Sequence, residues 1–310
     1  MDERLCYIGL CWAAGLSRRT VDRLIQHFGS AAQVLEASPG VLRGSGAGIR
    51  GRGADAIGQL AEELAHVETE VAQLAENGVE VLCPFDERFP RALRDIPNPP
   101  ALLTVRGALV DADCPSIAIV GTRSPSEEGR DAARTLAMAA AANGWCVVSG
   151  LALGIDTAAH EGALAAGGRT VAVLGCGIQR IYPYENRSLA DSIVEHGALM
   201  SEQPLDARPT TERLTARNRL QSGLARAVVV VETGPTGGSH VTASHARRQG
   251  RPVFAVAWPG GDRRAQGTAA LLARGAYPAD VSGDLGALLA AIQQLEAQQT
   301  ARSDQQARLL

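Results

Sequence analysis

The sequence predicts an α/β protein in which a parallel sheet is covered by helices on both faces, preceded by a small all-helical domain. Three observations carry this expectation. Between Ser116 and Val256 five short apolar runs recur, each followed by a turn and separated by alanine-rich helical stretches. The runs are nearly continuous in apolar residues instead of alternating, the mark of strands buried on both faces. Residues 1–78 instead show helical spacing of their apolar positions.

At the N-terminus, Val21, Leu24, Ile25 and Phe28 follow Ser17 at helical spacing, with Ser17 as the cap, and Ala31 to Ala37 repeats the pattern on a smaller scale. A glycine-rich turn, Ser45 to Gly53, carries Arg50 and Arg52. Between two helices such a turn can offer N–H groups to a phosphate, or it can be a plain connector. Ala54 to Asn77 reads as a longer amphipathic helix closed by Gly78. Val79 to Cys83 can form a strand, Pro84 to Pro100 is too rich in proline for a regular helix, and Ala101 to Leu109 resumes β character.

The expected strands are Ser116–Val120, Cys146–Ser149, Thr170–Leu174, Ala227–Val231 and Pro252–Val256. A terminal helix, Leu285 to Leu295, should run into a polar tail that frays. The division is then 1–78 for a helical domain, SAM-like or helix-hairpin-helix-like, 79–285 for the sheet domain, and 286–310 for a helical tail.

Composition narrows the function classes. The 310 residues carry a net charge of −3, and all 30 basic side chains other than histidine are arginine. Without lysine the P-loop signature is impossible, and no Gly-x-Gly-x-x-Gly follows the first strand. No run approaches the roughly 20 apolar residues of a membrane span. The opening Met1-Asp2-Glu3-Arg4 lacks a secretory pattern, which points to the cytoplasm. Six cysteines without any Cys-x-x-Cys pair give no reason to expect a metal or disulfides.

Turns after parallel strands gather on one edge of the sheet, where open α/β proteins hold their ligands. Gly121, Thr122 and Arg123 follow the first strand, with Ser126 placed to cap a helix near Glu127. Gly150 and Gly154 bracket the loop after Ser149, Asp156 stands where an N-cap belongs, and His160 follows one turn later. An Asp/His pair at this spacing suits a capping role better than acid–base or metal chemistry. Gly175 and Gly177 make a further close-approach turn, followed by Tyr182, which can stack on a ring or pack. Arg208, Arg213, Arg217, Asn218 and Arg219 form a dense polar cluster, and Arg226, directly before a strand, should keep it at the ligand-bearing edge. Gly237, Gly238 and Ser239 then open a helix with another phosphate-sized nest.

The order of these motifs resembles the DNA-processing protein A family, DprA or Smf. The matching text is Ile119-Val120-Gly121-Thr122-Arg123, Val148 through His160, Leu174-Gly175-Cys176-Gly177, Ile181-Tyr182-Pro183 with Asn186, and Ser201-Glu202. It continues through Arg217-Asn218-Arg219, Gly223-Leu224, Val231-Glu232 and Gly237-Gly238-Ser239, with Phe89-Pro90, Leu93, Pro100-Ala101-Leu102 and Gly107 upstream. The resemblance covers roughly Val79 to Ala276.

It implies an extended Rossmann-like domain without cofactor, metal or catalytic residues, which binds and protects single-stranded DNA and loads RecA recombinase as a homodimer during natural transformation or recombination. Arg123 would hold backbone phosphate, and the loops around Ser149, Gly150, Gly154, Gly175, Gly177 and Arg217 to Arg219 would line a groove. Where the family often has a basic-Gly-x-Phe segment, this chain has Thr211-Glu212-Arg213-Leu214. Arg208 and Arg213 would then replace its basic residue. A winged helix like that of many members is not expected after Leu285. A second reading is a nucleotide-binding protein or nucleoside-monophosphate phosphoribohydrolase, with Glu232 steadying charge on the ribose and Asp156 and His160 assisting. A third is a scaffold that binds through its N-terminal helices.

Overall fold

The computed structural model describes residues 1–49, 51–109, 114–258 and 265–307. It divides into two compact units, Met1–Phe89 with Asn98–Val105, and Pro90–Pro97 with Arg106–Leu310.

The first unit contains α1 (Glu3–Trp12), α2 (Arg18–Phe28), α3 (Ala31–Glu36), α4 (Pro39–Gly44) and α5 (Gly51–Glu76), then β1 (Val79–Leu82) beside the first part of β2 (Leu103–Gly107). The first three of its helices start where side chains satisfy free N–H groups of the first turn. Asp2, Ser17 and Ser30 accept from Leu5, Thr20 and Gln33, respectively. Glu3 of α1 also accepts from the Ala31 and Ala32 N–H groups, fastening α3 to it. Ile8, Leu10, Leu24, Leu42, Ile57 and Leu60 are fully buried and form the apolar interior.

The second unit runs β3 (Ser116–Val120), α6 (Glu127–Ala142), β4 (Cys146–Ser149), α7 (Ile155–Ala165), β5 (Thr170–Val173), α8 (Arg187–His196), β6 (Ala198–Ser201), α9 (Thr211–Ala216) and α10 (Asn218–Leu224). It continues with β7 (Ala227–Val230), α11 (Gly238–Arg248), β8 (Val253–Val256), α12 (Gln266–Ala273), β9 (Tyr277–Ala279) and α13 (Leu285–Ala307). Across the sheet the order is β6-β5-β4-β3-β7-β8-β9, and every one of these pairs is parallel. From β3 the chain builds outward through β6, then returns to place β7 on the other side of β3. That reversal opens a crevice at the strand C-termini between β3 and β7.

All five expected strands form, three of them shorter by one residue at an end. Two strands escaped the sequence reading. Ala198–Ser201 has no β-branched residue, and Tyr277–Ala279 is a three-residue segment at the end of the sheet order that contains a proline. The terminal helix also needs correction, because α13 continues past Leu295 to Ala307. Leu288, Leu289 and Ile292 join the core with the alanine face of α6, so its first turns are anchored by burial. Small residues let α6 and α7 approach closely. A Cβ on Gly162 would lie 2.4 Å from the Arg134 carbonyl oxygen.

Candidate nucleic-acid interface

The crevice is a polar cleft of about 620 Å³. Its walls come from the turn after β3, the loop after β4, the turn carrying Tyr182, α9 and α10, and the loop leading into α11. Among the predicted residues, Gly121, Thr122, Arg123, Tyr182, Arg217, Asn218, Gly237, Gly238 and Ser239 line it. Gly150 borders a small adjoining hollow together with Arg123, Tyr182 and Arg217.

The loops meet because several glycines leave no room for a side chain. A Cβ on Gly121 would lie 2.7 Å from the Glu232 carbonyl oxygen, and one on Gly154, at φ +84°, would lie 2.4 Å from that of Thr122. Gly175 and Gly177 serve the same end beneath the cleft wall, the first under Leu214 and the second under Leu205. These two glycines, Gly154 and Ser149 therefore shape the loops from behind. Ser149 is fully buried and donates to the Ile119 carbonyl at 2.7 Å.

The floor is organised around Arg217, which is 4% exposed instead of lying on a solvated helix face. Its Nη2 donates to the Gly150 carbonyl at 2.9 Å. Gln221, with its amide turned to suit its neighbours, accepts from Arg217 Nη1 at 2.5 Å and from Gly150 N at 2.9 Å, and donates to Asn218 at 3.0 Å. Arg217 Nε is buried with no hydrogen-bond partner among the described residues. Burial lowers the basicity of Arg217, the Asp156 carboxylate opposes that change, and the charge of Arg123 adds to it.

Asp156 does not cap α7; the N-cap is Gly154, which needs a positive φ that aspartate would adopt only under strain. The Asp156 carboxylate instead turns back to accept from Gly150 N at 3.0 Å and Ala152 N at 3.4 Å. Burial pushes its pKa up, and the Arg217 charge and these N–H donors hold it down. His160, fully buried, lies outside the cleft lining. Thr170 donates to Val147 O, so its oxygen accepts from His160 Nδ1 at 2.7 Å and leaves Nε2 to accept from Leu151 N at 3.4 Å. Burial, reinforced by Arg217, drives the His160 pKa down to about 3, so the ring is neutral. Leu151 adopts φ +60°, an uncommon conformation for a branched residue, and Asn186 secures its carbonyl at 2.8 Å. The buried Asp156 and His160 thus position a strained loop.

Glu232 is 2% exposed and accepts from Ser126 N and, at 2.6 Å, from Ser126 Oγ, while Ser126 caps α6 through Gly129 N. It is absent from the cleft lining, where a ribose-stabilising carboxylate would have to be. At the opposite wall α11 starts at the exposed Gly237 and Gly238, which line the cleft, and no side chain caps its N-terminus.

Other predicted positions lie apart. Arg219 is paired with Glu202, its Nη2 at 2.5 Å from the carboxylate, and does not line the cleft. Arg213, in α9, donates to the carbonyl of Arg208, just before that helix, at 2.8 Å, and neither lines the cleft. Arg226 is corrected outright. It precedes its strand, bonds Ser116 O at the start of β3 and pairs with Glu296 at 2.9 Å, which puts it at the edge opposite the cleft. Arg52 is exposed and lines a cavity of the first unit, and Arg50 falls outside the described residues. Gln221 was missed by sequence reading, although it stands four residues after Arg217, the spacing that stacks side chains on a helix.

Fold and cleft together define an open parallel α/β protein with a polar, arginine-bearing crevice at its topological switch point. The chain belongs to the DNA recombination-mediator protein A family, whose model matches residues 80–289. It is 38% identical over 207 residues to the DNA processing protein DprA of Bacillus subtilis, covering 66% of this chain and 70% of that protein. It is also 41% identical over 181 residues to protein Smf of Synechocystis, covering 57% of this chain and only 46% of that relative's length. The crystal structure of DprA from Streptococcus pneumoniae matches with a TM-score of 0.73 at 30% identity, covering 88% of this chain and 94% of that one. DNA processing protein A from Helicobacter pylori, whose structure was described for its single-stranded DNA binding mode, matches with a TM-score of 0.61 at 30% identity, covering 69% and 96%.

Among the described residues, no helix is long and apolar enough to cross a membrane. No cluster of three or more histidine, cysteine or acidic side chains among them could hold a metal ion. All six cysteines are free.

Proposed function

We propose that this chain binds single-stranded DNA in the cleft between β3 and β7 and acts as a recombination mediator. One observation carries the reading. The charged residues lining the cleft are Arg123, Arg217 and a single carboxylate, Asp156, which leaves an excess positive charge. Arg123 is exposed and makes no side-chain hydrogen bond or ion pair among the described residues, so its guanidinium is available to a phosphate oxygen. Tyr182, 41% exposed on the same wall, offers a ring on which an unpaired base can stack. Arg208, exposed, and Arg213, half-buried, flank the cleft residues Pro209 and Thr210 and add two further cations nearby.

On this reading the sheet domain is an extended Rossmann-like binding platform of a cytoplasmic protein, and the bound strand is handed as a homodimer to RecA. The named structure of the Helicobacter relative supports the single-stranded ligand. A fluorescence-polarisation titration with labelled oligothymidine tests it. Arg123→Glu should weaken binding on the order of tenfold or more. An affinity equal to the parent's would remove the cleft from the DNA path.

A further inference from the structure

A second basic cavity lies at the other edge of the same sheet, within the second unit. It has a volume of about 380 Å³ and is lined by Arg91, Asp95, Ile96, Pro97, Arg248 and Arg251, among others. Arg251 precedes β8 by two residues, so the cavity faces the strand N-termini, whereas the cleft faces their C-termini. Its floor is fixed. A Cβ on Gly223 of α10 would lie 2.8 Å from Leu93 and 3.1 Å from Ile96, so the segment carrying Arg91 and Pro97 packs directly on that helix.

Three guanidinium groups face one carboxylate there. Among the described residues, Arg251 Nε is buried without a hydrogen-bond partner, and Arg91 is exposed with no side-chain partner. Burial and the nearby Arg226 both depress the basicity of Arg251; Glu296 opposes them, but its carboxylate is already bonded to Arg226 at 2.9 Å. His245, beside Arg248, also has its pKa lowered, by burial first and then by the charges of Arg248 and Arg219. A buried guanidinium N–H lacking an acceptor is costly, and a planar carboxylate satisfies the fork best.

The lining contains no aromatic ring on which a nucleobase could stack. It does contain the apolar Ile96 and Pro97, and Asp95, a single carboxylate outnumbered by the three guanidinium groups, which can accept an N–H from a peptide backbone. We propose that this cavity docks an acidic peptide segment of a partner protein, its carboxylates held by Arg91, Arg248 and Arg251. The site is separate from the cleft and does not depend on what the cleft binds.

The test uses the full chain and a fluorescein-labelled octaglutamate peptide, with octaglutamine as the neutral control. The parent should bind octaglutamate, and the exposed pair of changes Arg91→Glu and Arg248→Glu should weaken it on the order of tenfold while the circular dichroism spectrum stays that of the parent. Arg123→Glu should leave peptide affinity unchanged. The proposal is overturned if octaglutamate binds no better than octaglutamine, or if Arg123→Glu and not the double change abolishes peptide binding. It is equally overturned if the double change lowers only oligothymidine affinity, which would make this edge a nucleic-acid track.

Discussion

The guanidinium of Arg217 fills the space that a side chain on Gly150 would need. A Cβ built on Gly150 would lie 1.4 Å from Arg217 Nη1, while Arg217 Nη2 donates to the Gly150 carbonyl at 2.9 Å. One residue is absent in bulk so that the other can be buried as a cation beside Asp156.

Gly150→Ala should therefore displace Arg217 and leave Asp156 without its compensating charge. We expect a loss of about 3 kcal/mol in urea unfolding. The cost should shrink sharply when Gly150→Ala is made in an Arg217→Ala background, since the clash is then gone. Additive losses in that double-mutant cycle would refute the steric account.

In the proposed complex Arg123 touches phosphate directly. Truncation to alanine should lower the slope of log affinity against log salt by about 0.7 for a single-stranded oligonucleotide, the value for one lost phosphate contact. A weaker complex with an unchanged slope would mean that Arg123 acts by packing.

Glu232 joins the end of β7 to the start of α6 through Ser126. Glu232→Ala should lower stability by about 2 kcal/mol, because it strands the partly buried N–H and hydroxyl of Ser126. The oligothymidine affinity of the folded fraction should hold. A stable variant that has lost ligand binding would instead put Glu232 in the ligand site.

His160 sets an acid limit. Its folded pKa, about 3, lies below the ordinary 6.5, so between these values the unfolded chain takes up the proton and the folded one does not. Stability from this group is complete above about pH 6.5 and is lost as pH falls toward 3, at no more than about 1.4 kcal/mol per pH unit. His160→Gln should flatten that part of the stability profile. An identical profile in the variant would show that carboxylates alone govern it.

Leu214 lines the cleft at the position where the sequence departs from the family's basic-Gly-x-Phe pattern. Leu214→Phe should tighten oligothymidine binding by about 1 kcal/mol if the ring reaches a base. Unchanged or weaker binding would show that the wall over Gly175 cannot admit it.

The order of strands, turns and helices was legible because continuous β-branched runs and glycine turns are local signals. Ser116–Val120 and the Ser126 cap fell where the sequence put them. Ala198–Ser201 was not legible, since its strand state comes from pairing with β5 and not from its own residues. The cleft-lining positions of Gly121 to Arg123 and of Gly237 to Ser239 followed from a rule of parallel sheets, that turns after strands share an edge. The same rule, applied with attention to direction, places Arg226 at the far edge.

By itself the sequence determined that a parallel α/β sheet would carry arginines and glycine turns along its C-terminal edge, because apolar periodicity and backbone freedom are properties of neighbours in the chain. Only the tertiary structure decided which arginines stay available. Arg123, Arg217 and Arg219 are all arginines of motif segments, yet Arg217 is buried against Gly150, Arg219 is paired with Glu202 and Arg123 faces solvent. Their fates depend on carboxylates and glycines distant in the chain, and charge, unlike periodicity, is settled by whatever folding brings within a few ångströms.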